Sequence, residues 1–230
     1  MKSIVILAAT EQEIKPTLNY LYEHYIPLNA NVFIKGGLHV AACISLPGMV
    51  YTLHTLGGIH LSRMSNHLIH AGIAGAYDTD KHPIGSLVQI ESEAFGDLGV
   101  EDKDGSFTPA FAMGLLEPNS DVCTDGWMYN EEKNLDLMPD LPRVKGISVN
   151  RVSGSAQTIS QMKHWYSPDV ETMESAAFFF YCLKYGVPFN SVRAISNKVE
   201  PRDRSKWNIP LAIQNLNDYL LATIKNFEEK

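Results

Sequence analysis

Short apolar segments alternate with helical patterns along most of this chain. Residues 3–9 form a mostly apolar run, which is typical of a strand that is buried on both faces of a sheet. After this run, the apolar residues Ile14, Leu18 and Leu21 recur at intervals of three or four positions. This spacing places them on one face of a helix. The first predicted unit is therefore a strand followed by an amphipathic helix.

Elements of the same two kinds follow. Apolar runs predict strands at residues 38–46, 67–71, 86–95 and 189–196. Helical patterns occur at residues 49–64, 173–185 and 211–227. Because strands that are separated by helices form mainly parallel sheets covered on both faces, we expect an α/β fold. Its expected architecture is a single-domain three-layer sandwich with a central, mainly parallel mixed sheet flanked by helices.

One segment interrupts this rhythm. Residues 97–142 are rich in acidic side chains and contain the four prolines Pro109, Pro118, Pro139 and Pro142. We interpret this segment as a surface excursion from one domain that spans residues 1–230, rather than as a second domain.

Composition narrows the class of protein. Apolar residues make up 45% and charged residues 20% of the chain, as in ordinary globular proteins. The net charge of −7 disfavours nucleic acids and anionic membranes as partners. The three cysteines, Cys43, Cys123 and Cys182, are far apart and favour reduced thiols. No secretory cleavage pattern or membrane-length apolar run is visible, so we expect a soluble cytoplasmic protein.

Two glutamates occupy positions with possible chemistry. Glu13 follows the first predicted strand, and ligands of open α/β sheets bind beyond the carboxyl ends of strands. It is also typical of a helix start, where the helix dipole favours acids, and Glu11 fits the same description. Glu174 begins a helix that is apolar all round. Its carboxylate needs partners there, which a ribose diol or solvent would provide.

Other candidates also have structural alternatives. Residues 72–75 have the sequence Gly-Ile-Ala-Gly. This sequence predicts either a glycine loop that a ligand could approach closely or a plain tight turn. It matches neither a Walker motif nor a GxGxxG motif. Asn197 follows the last predicted strand and could hold a turn. Trp207 could belong to the core, and Arg202 and Arg204 could be solvated charges.

Together these stretches resemble the nucleoside phosphorylase/nucleosidase superfamily over nearly the whole chain. The resemblance is to the methylthioadenosine/S-adenosylhomocysteine nucleosidases. Residues 6–13 resemble their first strand with its catalytic glutamate, and residues 72–75 resemble their glycine loop. Residues 173–174 resemble their ribose-binding pair, and residues 193–196 resemble their last core strand.

At one position the chain departs from these nucleosidases. Their last core strand is followed by an aspartate that protonates the departing adenine, whereas this chain has Asn197. This departure, with residues 95–101 and 199–202, resembles the futalosine hydrolases of the futalosine route to menaquinone. The resemblance thus implies a different purine.

The chemistry of an amide agrees with that implication. A departing 6-oxopurine presents an acceptor at O6 and a donor at N7–H, and an Asn amide matches both. Adenine presents donors at both positions, and each buried mismatch costs about 1–3 kcal/mol. Asn197 is therefore predicted to select hypoxanthine, with a bond that strengthens in the transition state.

The resemblance also implies hydrolysis rather than phosphorolysis. The phosphorylases of this superfamily hold phosphate with arginines and with a serine or threonine in the glycine loop. Here His70 stands where an arginine would precede that loop, and Ile73 replaces the hydroxyl. Residues 10–25 contain no arginine. Water is therefore the expected nucleophile.

The resemblance assigns a role to each candidate site residue. Glu13 would orient or deprotonate the water, and Glu174 would hold the ribose diol of an oxocarbenium-like sugar. Met173 would pack under the sugar, while Gln157 and Thr158 would cover the purine. The predicted substrate-binding residues are Ala74, Gly75, Gln157, Thr158, Met173, Ser196, Arg202 and Trp207. Arg202 and Trp207 would receive the carboxylated aromatic group on the 5′ side of futalosine.

We therefore expect an enzyme that hydrolyses futalosine to hypoxanthine and dehypoxanthinyl futalosine without a metal or an organic cofactor. Because relatives in this superfamily form homo-oligomers, we expect a homo-oligomer, with a dimer favoured. Two alternatives stay open. One is a nucleosidase or phosphorylase for another nucleoside, such as methylthioadenosine, S-adenosylhomocysteine or inosine. The other is a catalytically silent nucleoside-binding protein, which the presence of both Glu13 and Glu174 counts against.

Overall fold

The computed structural model describes residues 2–58, 67–130 and 138–229. In this part of the chain, the strands are β1 (Lys2–Ala8), β2 (Ile26–Asn29), β3 (Val32–Lys35), β4 (Leu38–Ile44), β5 (His67–Ala76), β6 (Leu87–Phe95), β7 (Gly99–Glu101), β8 (Phe107–Pro109), β9 (Met128–Tyr129), β10 (Arg143–Ser148), β11 (Val170–Thr172) and β12 (Phe189–Lys198). The α-helices are α1 (Glu11–His24), α2 (Met49–Gly58), α3 (Ala156–Tyr166), α4 (Ser175–Tyr185) and α5 (Ile209–Glu229).

One large mixed sheet forms the centre of the molecule. Its strand order is β11-β10-β6-β12-β5-β1-β4-β3-β2, and β9 pairs with β6. The five pairs β1–β4, β1–β5, β5–β12, β6–β10 and β10–β11 are parallel. Because β11 also pairs with β5, the strands β5, β12, β6, β10 and β11 close into a ring. The predicted mainly parallel mixed sheet is confirmed.

Helices cover both faces of this sheet. Along β1, Ile4 and Ile6 pack into a core with side chains of α1 and α5. The alternate residues Val5 and Leu7 pack into a second core with α2 and α4. Successive side chains of a strand point to opposite faces, so the apolar run of β1 stabilises both layers. None of the helices in the described ranges is long and apolar enough to cross a membrane.

The glycine segment is part of strand β5, so the prediction of a loop or tight turn at residues 72–75 is wrong. β5 continues through Ala76 and pairs with β12 on one side and β11 on the other. A Cβ atom at Gly72 would lie 3.0 Å from Oε1 of Glu13, and one at Gly75 would lie 2.9 Å from Cγ2 of Val199. Glycine is therefore needed here because other groups approach the strand closely.

One helix begins later than predicted, and another is described only in part. Residues 170–172 form β11, so the helix predicted from residue 173 begins at Ser175. The predicted helix at 49–64 corresponds to α2, which the structure describes as far as Gly58; residues 59–64 lie outside the described residues. The other predicted strands and helices correspond to β1, β4, β5, β6, β12, α1 and α5.

The described parts of the 97–142 segment contain regular structure. Strands β7 and β8 form a hairpin, which is held against α3. Gln157 and Gln161 each donate a hydrogen bond from Nε2 to the carbonyl of Gly105, at 2.9 and 2.7 Å. One turn further, Nε1 of Trp165 donates to the carbonyl of Phe107 at 2.9 Å. One face of α3 therefore fixes the hairpin beside the sheet.

Candidate active site

A cavity of about 320 Å³ opens where several strands of the sheet end. The chain leaving the carboxyl ends of β1, β5, β11 and β12 lines it, which is where open α/β sheets bind ligands. Nine of the predicted site residues line this cavity: Glu13, Ala74, Gly75, Met173, Glu174, Ser196, Asn197, Arg202 and Trp207.

Glu13 is fixed at the start of α1 by hydrogen bonds to both carboxylate oxygens. Its Oε2 accepts bonds from the backbone N–H and the hydroxyl of Thr10, each at 2.9 Å. Its Oε1 accepts a bond from the backbone N–H of Ile73 on β5 at 3.1 Å. Glu11, the sequence competitor, is exposed. Glu13 thus serves as a helix-start acid and also faces the cavity.

The backbone at Glu13 is held from α5. Helix α1 is distorted at Ile14, two residues before Pro16, and this distortion leaves polar groups in need of partners. The amide of Asn217 donates to the carbonyl of Glu13 at 2.8 Å. The Oδ1 of Asn217 accepts bonds from the N–H and the hydroxyl of Thr17 at 3.0 and 2.7 Å. This buried asparagine therefore fixes the turn that carries Glu13.

Glu174 lies at the N-terminal end of α4, across the cavity. Its Oε1 accepts a bond from the N–H of Gly48 at 2.9 Å, and its Oε2 accepts one from the N–H of Met173 at 3.3 Å. Burial raises the pKa of Glu174 above its usual value, although the N–H of Gly48 and the charge of Arg193 act in the opposite direction. The carboxylate retains acceptor capacity for two further donors.

A buried arginine that the sequence analysis did not single out lies behind these acids. The guanidinium of Arg193 donates to the carbonyl of His70 at 2.9 Å and to Oγ of Ser175 at 2.9 Å. It also contacts Nδ1 of His70 at 2.7 Å. Burial lowers the pKa of Arg193, while the carboxylates of Glu174 and Glu13 raise it. Burial also keeps the pKa of His70 well below its usual value, so neutral His70 can accept from the guanidinium.

Asn197 follows an irregularity in β12. Ile195 pairs with Ala74 and Asn197 pairs with Gly75, so Ser196 is the extra residue of a bulge, and bulges re-aim side chains next to sites. The hydroxyl of Ser196 donates to Oδ1 of Asn197 at 2.7 Å. The Nδ2 of Asn197 donates to the carbonyl of Lys198 at 2.9 Å. Because a carbonyl only accepts, this last bond fixes which side of the amide is the NH₂ group.

The far end of the cavity is aromatic and basic. The guanidinium carbon of Arg202 lies 5.3 Å from the ring centroid of Trp207, and that of Arg204 lies 5.8 Å from it, within the range of cation–π contacts. Arg202 and Trp207 line the cavity together with Ile209 and Ile213 of α5. This arrangement gives an apolar wall with a cation at its edge.

Comparison with known sequences identifies the family. Residues 3–225 match the Phosphorylase superfamily. The chain belongs to this superfamily. The similar curated proteins include the futalosine hydrolase of Streptomyces coelicolor, with 27% identity over 164 residues, and that of Thermus thermophilus, with 29% over 147 residues. These matches cover 66% and 63% of this chain but only 62% and 63% of the two relatives.

A third relative and two solved structures are similar over a longer span. The aminodeoxyfutalosine nucleosidase of Helicobacter pylori strain J99 is 26% identical over 208 residues, 88% of each chain. The structure of futalosine hydrolase from Helicobacter pylori strain 26695 has a TM-score of 0.78 at 19% identity and covers 97% of both chains. That of 5′-methylthioadenosine/S-adenosyl homocysteine nucleosidase from Campylobacter jejuni has a TM-score of 0.77 at 18% identity, over 100% of both chains. The expected superfamily fold is confirmed.

Two site predictions for this superfamily member differ from the structure. Gln157 and Thr158 do not line the cavity. The Gln157 amide binds Gly105 of the β7–β8 hairpin, and the N–H of Thr158 donates to Oγ of Ser155, the N-cap of α3, at 3.1 Å. Because α3 begins directly after Ser155, residues 152–154 line the cavity instead. We refer to residues 152–154 as the roof loop.

Glu171 is a cavity residue to which the sequence analysis assigned no role. It is 6% exposed and lines the same cavity as Asn197. Its Oε1 accepts a bond from the N–H of Ser153 in the roof loop, and its Oε2 accepts one from the hydroxyl of Tyr77, both at 2.8 Å. Strand β11 has only three residues, all of them buried, and is too short to be recognised in the sequence, so only the fold places this acid at the site.

Another buried acid, Glu93, is linked to the cavity through Ser148 and Thr172. Glu93 on β6 accepts a bond from Oγ of Ser148 at 3.1 Å, and that hydroxyl also contacts Oγ1 of Thr172 at 2.8 Å. Burial raises the pKa of Glu93 well above its usual value. In the described part of the chain, no three His, Cys, Asp or Glu side chains converge as a metal site requires.

Proposed function

We propose that this protein hydrolyses the N-glycosidic bond of futalosine and releases hypoxanthine and dehypoxanthinyl futalosine, a step of menaquinone biosynthesis. The observation that carries this proposal is the oriented amide of Asn197 at the cavity wall. Its Oδ1 faces Ser196 and its NH₂ group faces the carbonyl of Lys198. One N–H and one lone pair are left for a ligand. They match O6 and N7–H of a departing 6-oxopurine.

The two glutamates support the sugar chemistry of this proposal. The water oxygen would attack C1′ of the ribose as the bond to N9 breaks. The bonding electrons would pass to the purine, which takes a proton from solvent at N7 because the amide of Asn197 cannot supply one. Glu13 would take the proton of the water. Glu174 would accept hydrogen bonds from the 2′- and 3′-hydroxyls with its remaining lone pairs. A 2′-deoxy substrate should therefore be poor.

The polar groups near Glu13 favour water over phosphate as the nucleophile. Ile73, which faces this part of the cavity, has no side-chain donor for an anion. Arg193 is 1% exposed, and its guanidinium is bound to His70 and Ser175. Among the described residues, the lysine and arginine that line the cavity are Lys198 and Arg202, and both follow Asn197 in the chain.

The aromatic and basic end of the cavity supports the choice of nucleoside. Futalosine carries a carboxylated aromatic group on its 5′ side. Trp207, Ile209 and Ile213 would pack against the ring, and Arg202 would pair with the carboxylate. The named relatives agree with this substrate class, since two are futalosine hydrolases and one is an aminodeoxyfutalosine nucleosidase.

The test is to incubate the protein with futalosine, aminofutalosine, inosine and methylthioadenosine, with and without phosphate, and to quantify free hypoxanthine and adenine. We expect hypoxanthine from futalosine at a rate that does not depend on phosphate. Adenine from aminofutalosine or methylthioadenosine as the main product would instead identify a 6-aminopurine nucleosidase. A phosphate requirement would identify a phosphorylase. The absence of free base in a single-turnover assay would identify a nucleoside-binding protein.

We further propose that the enzyme acts in the cytoplasm as a homodimer, with a small-molecule nucleoside rather than a nucleic acid or a membrane as its partner. Helix α2 supports association with a second copy, because Val50 and Leu53 are one turn apart and exposed by 74% and 39%.

A further inference from the structure

We propose that Glu171 is a second base-reading residue, which accepts a hydrogen bond from N1–H of a 6-oxopurine. This inference rests on the proposed function, because it concerns the base that Asn197 would bind. Asn197 would then bind O6 and N7–H, and Glu171 would bind N1–H on the other side of O6.

The sheet register places these two side chains on either side of one glycine. On β5, Gly75 pairs with Asn197 of β12 and with Glu171 of β11. Residues that pair directly on neighbouring strands project from the same face of a sheet. Two strand spacings separate Glu171 and Asn197, about 9–10 Å between backbones. Val199 and the Nδ2 group of Asn197 pack where a Cβ atom of Gly75 would lie, so the ring would occupy the cavity that Asn197, Val199 and Glu171 line together.

Glu171 is held rigidly in this position. The roof loop is bonded to Oε1 through Ser153, and Tyr77, at the end of β5, is bonded to Oε2. Burial and the neighbouring Glu171 raise the pKa of Tyr77, so the phenol keeps its proton and donates. A carboxylate has four acceptor positions. Two positions remain after these bonds.

In the described ranges, the ion pairs of the protein do not include Glu171. Its two donors are a neutral N–H and a neutral O–H. A carboxylate this deeply buried is costly unless further donors reach it, and a ligand in the cavity is placed to supply one.

The donor pattern of the base decides which ligand fits. Hypoxanthine has a donor at N1, so a carboxylate at Glu171 can accept from it. Adenine has an acceptor at N1, and its lone pair would face the carboxylate oxygens. Asn197 and Glu171 therefore discriminate against adenine at two separate atoms. Losing one such match at a buried site costs about 1–3 kcal/mol, or about 5- to 150-fold in affinity.

The experiment measures the affinities of hypoxanthine and adenine by calorimetry for the wild type, Glu171→Gln and Tyr77→Phe. In Glu171→Gln the new NH₂ group can donate to N1 of adenine, so hypoxanthine should bind about 5- to 100-fold more weakly while adenine binds as well as before or better. Tyr77→Phe removes one bond to Glu171 but keeps its charge. It should change the two affinities by similar factors.

A purely structural role gives a different result. If Glu171 only holds the roof loop, Glu171→Gln will weaken both bases equally, and the inference fails. The wild type provides a test that does not depend on variant folding: 1-methylhypoxanthine lacks the N1 donor and should bind at least about 10-fold more weakly than hypoxanthine. Equal binding overturns the inference. A wild type that does not release hypoxanthine from futalosine refutes the proposed function instead, and the base affinities still decide the role of Glu171.

Discussion

At the scale of single residues, the cavity acids share one arrangement: backbone N–H groups fix their carboxylates and leave acceptor positions open. Glu13 is bonded to the N–H groups of Thr10 and Ile73, and Glu174 to those of Gly48 and Met173. Side chains fixed in this way need little reorganisation when charge develops on a substrate, which is the basis of electrostatic preorganisation.

If Glu13 is the general base, Glu13→Gln should lower kcat by about 10²–10⁴-fold while substrate binding stays largely intact. Glu11→Gln is the matched control, because it makes the same exchange two residues away at an exposed position and should leave kcat unchanged. Steady-state kinetics with futalosine measure both variants. Near-normal turnover in Glu13→Gln would show that Glu13 is not the general base and only stabilises the start of α1.

The buried Glu93 should make the free energy of unfolding depend on pH. Its pKa is raised well above the usual value in the folded state, so above the unfolded pKa the native state binds more protons than the unfolded state. The free energy of unfolding must then fall as pH rises through this range. Glu93→Gln keeps the shape of the side chain without the titration.

The melting temperatures of the wild type and Glu93→Gln should be compared between about pH 5 and about pH 8. The stability of the wild type relative to the variant should decrease as pH rises. Parallel curves for the two proteins would show that Glu93 does not titrate over this range.

The sequence was informative about residues whose chemistry depends on their local position. Glu13 and Glu174 were recognisable as acids at helix starts, although only the fold separates Glu13 from the exposed Glu11. Glu171 was not assigned because its site depends on the antiparallel pairing of β11 with β5, which joins residues that are distant in the chain. Arg193 lies in the buried strand β12, and its burial close to Glu13 and Glu174 is also a tertiary property.

At the scale of elements, the glycines of β5 led to the wrong prediction of a loop or turn. A Gly-Ile-Ala-Gly segment is typical of a turn, yet here it is a central strand whose glycines admit Glu13, Asn197 and Val199. Strand β2 was missed because its residues are exposed throughout and therefore show no alternation. Strand β11 was missed because it has only three residues. Strand β1 was predicted because its apolar run from Ile4 to Ala8 is continuous, and strand β12 because Val192, Ala194 and Ile195 give it an apolar centre.

The close approach at β5 can be tested with Gly72→Ala. The added methyl group would lie 3.0 Å from Oε1 of Glu13, so it should displace the carboxylate and weaken its bond to Ile73. We expect a loss of about 1–3 kcal/mol in stability and a larger fractional loss of kcat than of binding.

Gly57→Ala is the matched control, since a Cβ there has no atom within 4 Å and a helical glycine gains about 0.5–1 kcal/mol from this exchange. Thermal unfolding and steady-state kinetics measure both variants. Full activity in Gly72→Ala would show that the position of Glu13 tolerates this shift.

At the scale of the whole molecule, the fold was predictable because its alternation of strands and helices is a regular pattern. The oligomeric state cannot be observed in the structure of a single chain. We expect a dimer, so light scattering should give twice the chain mass of 25.6 kDa. Val50→Glu would place a charge on the exposed face of α2 and should shift the mass towards the monomer. A monomeric wild type would contradict this expectation.

The choice of base is the central claim, and Asn197→Asp tests it most directly. A protonated aspartic acid can donate to N7 and accept from a 6-amino group, so it suits adenine, whereas the amide suits hypoxanthine. The exchange is nearly isosteric, and Ser196 can still donate to the remaining oxygen. The ratio of kcat/KM for futalosine to that for aminofutalosine is the quantity to measure, because the variant can be slower on both substrates.

In the wild type this ratio should strongly favour futalosine, since a site that matches buried polar groups can reject a mismatch by about 10⁴-fold. In Asn197→Asp the ratio should narrow or reverse. A ratio that is the same in both proteins would contradict the account and would assign Asn197 to the turn after β12.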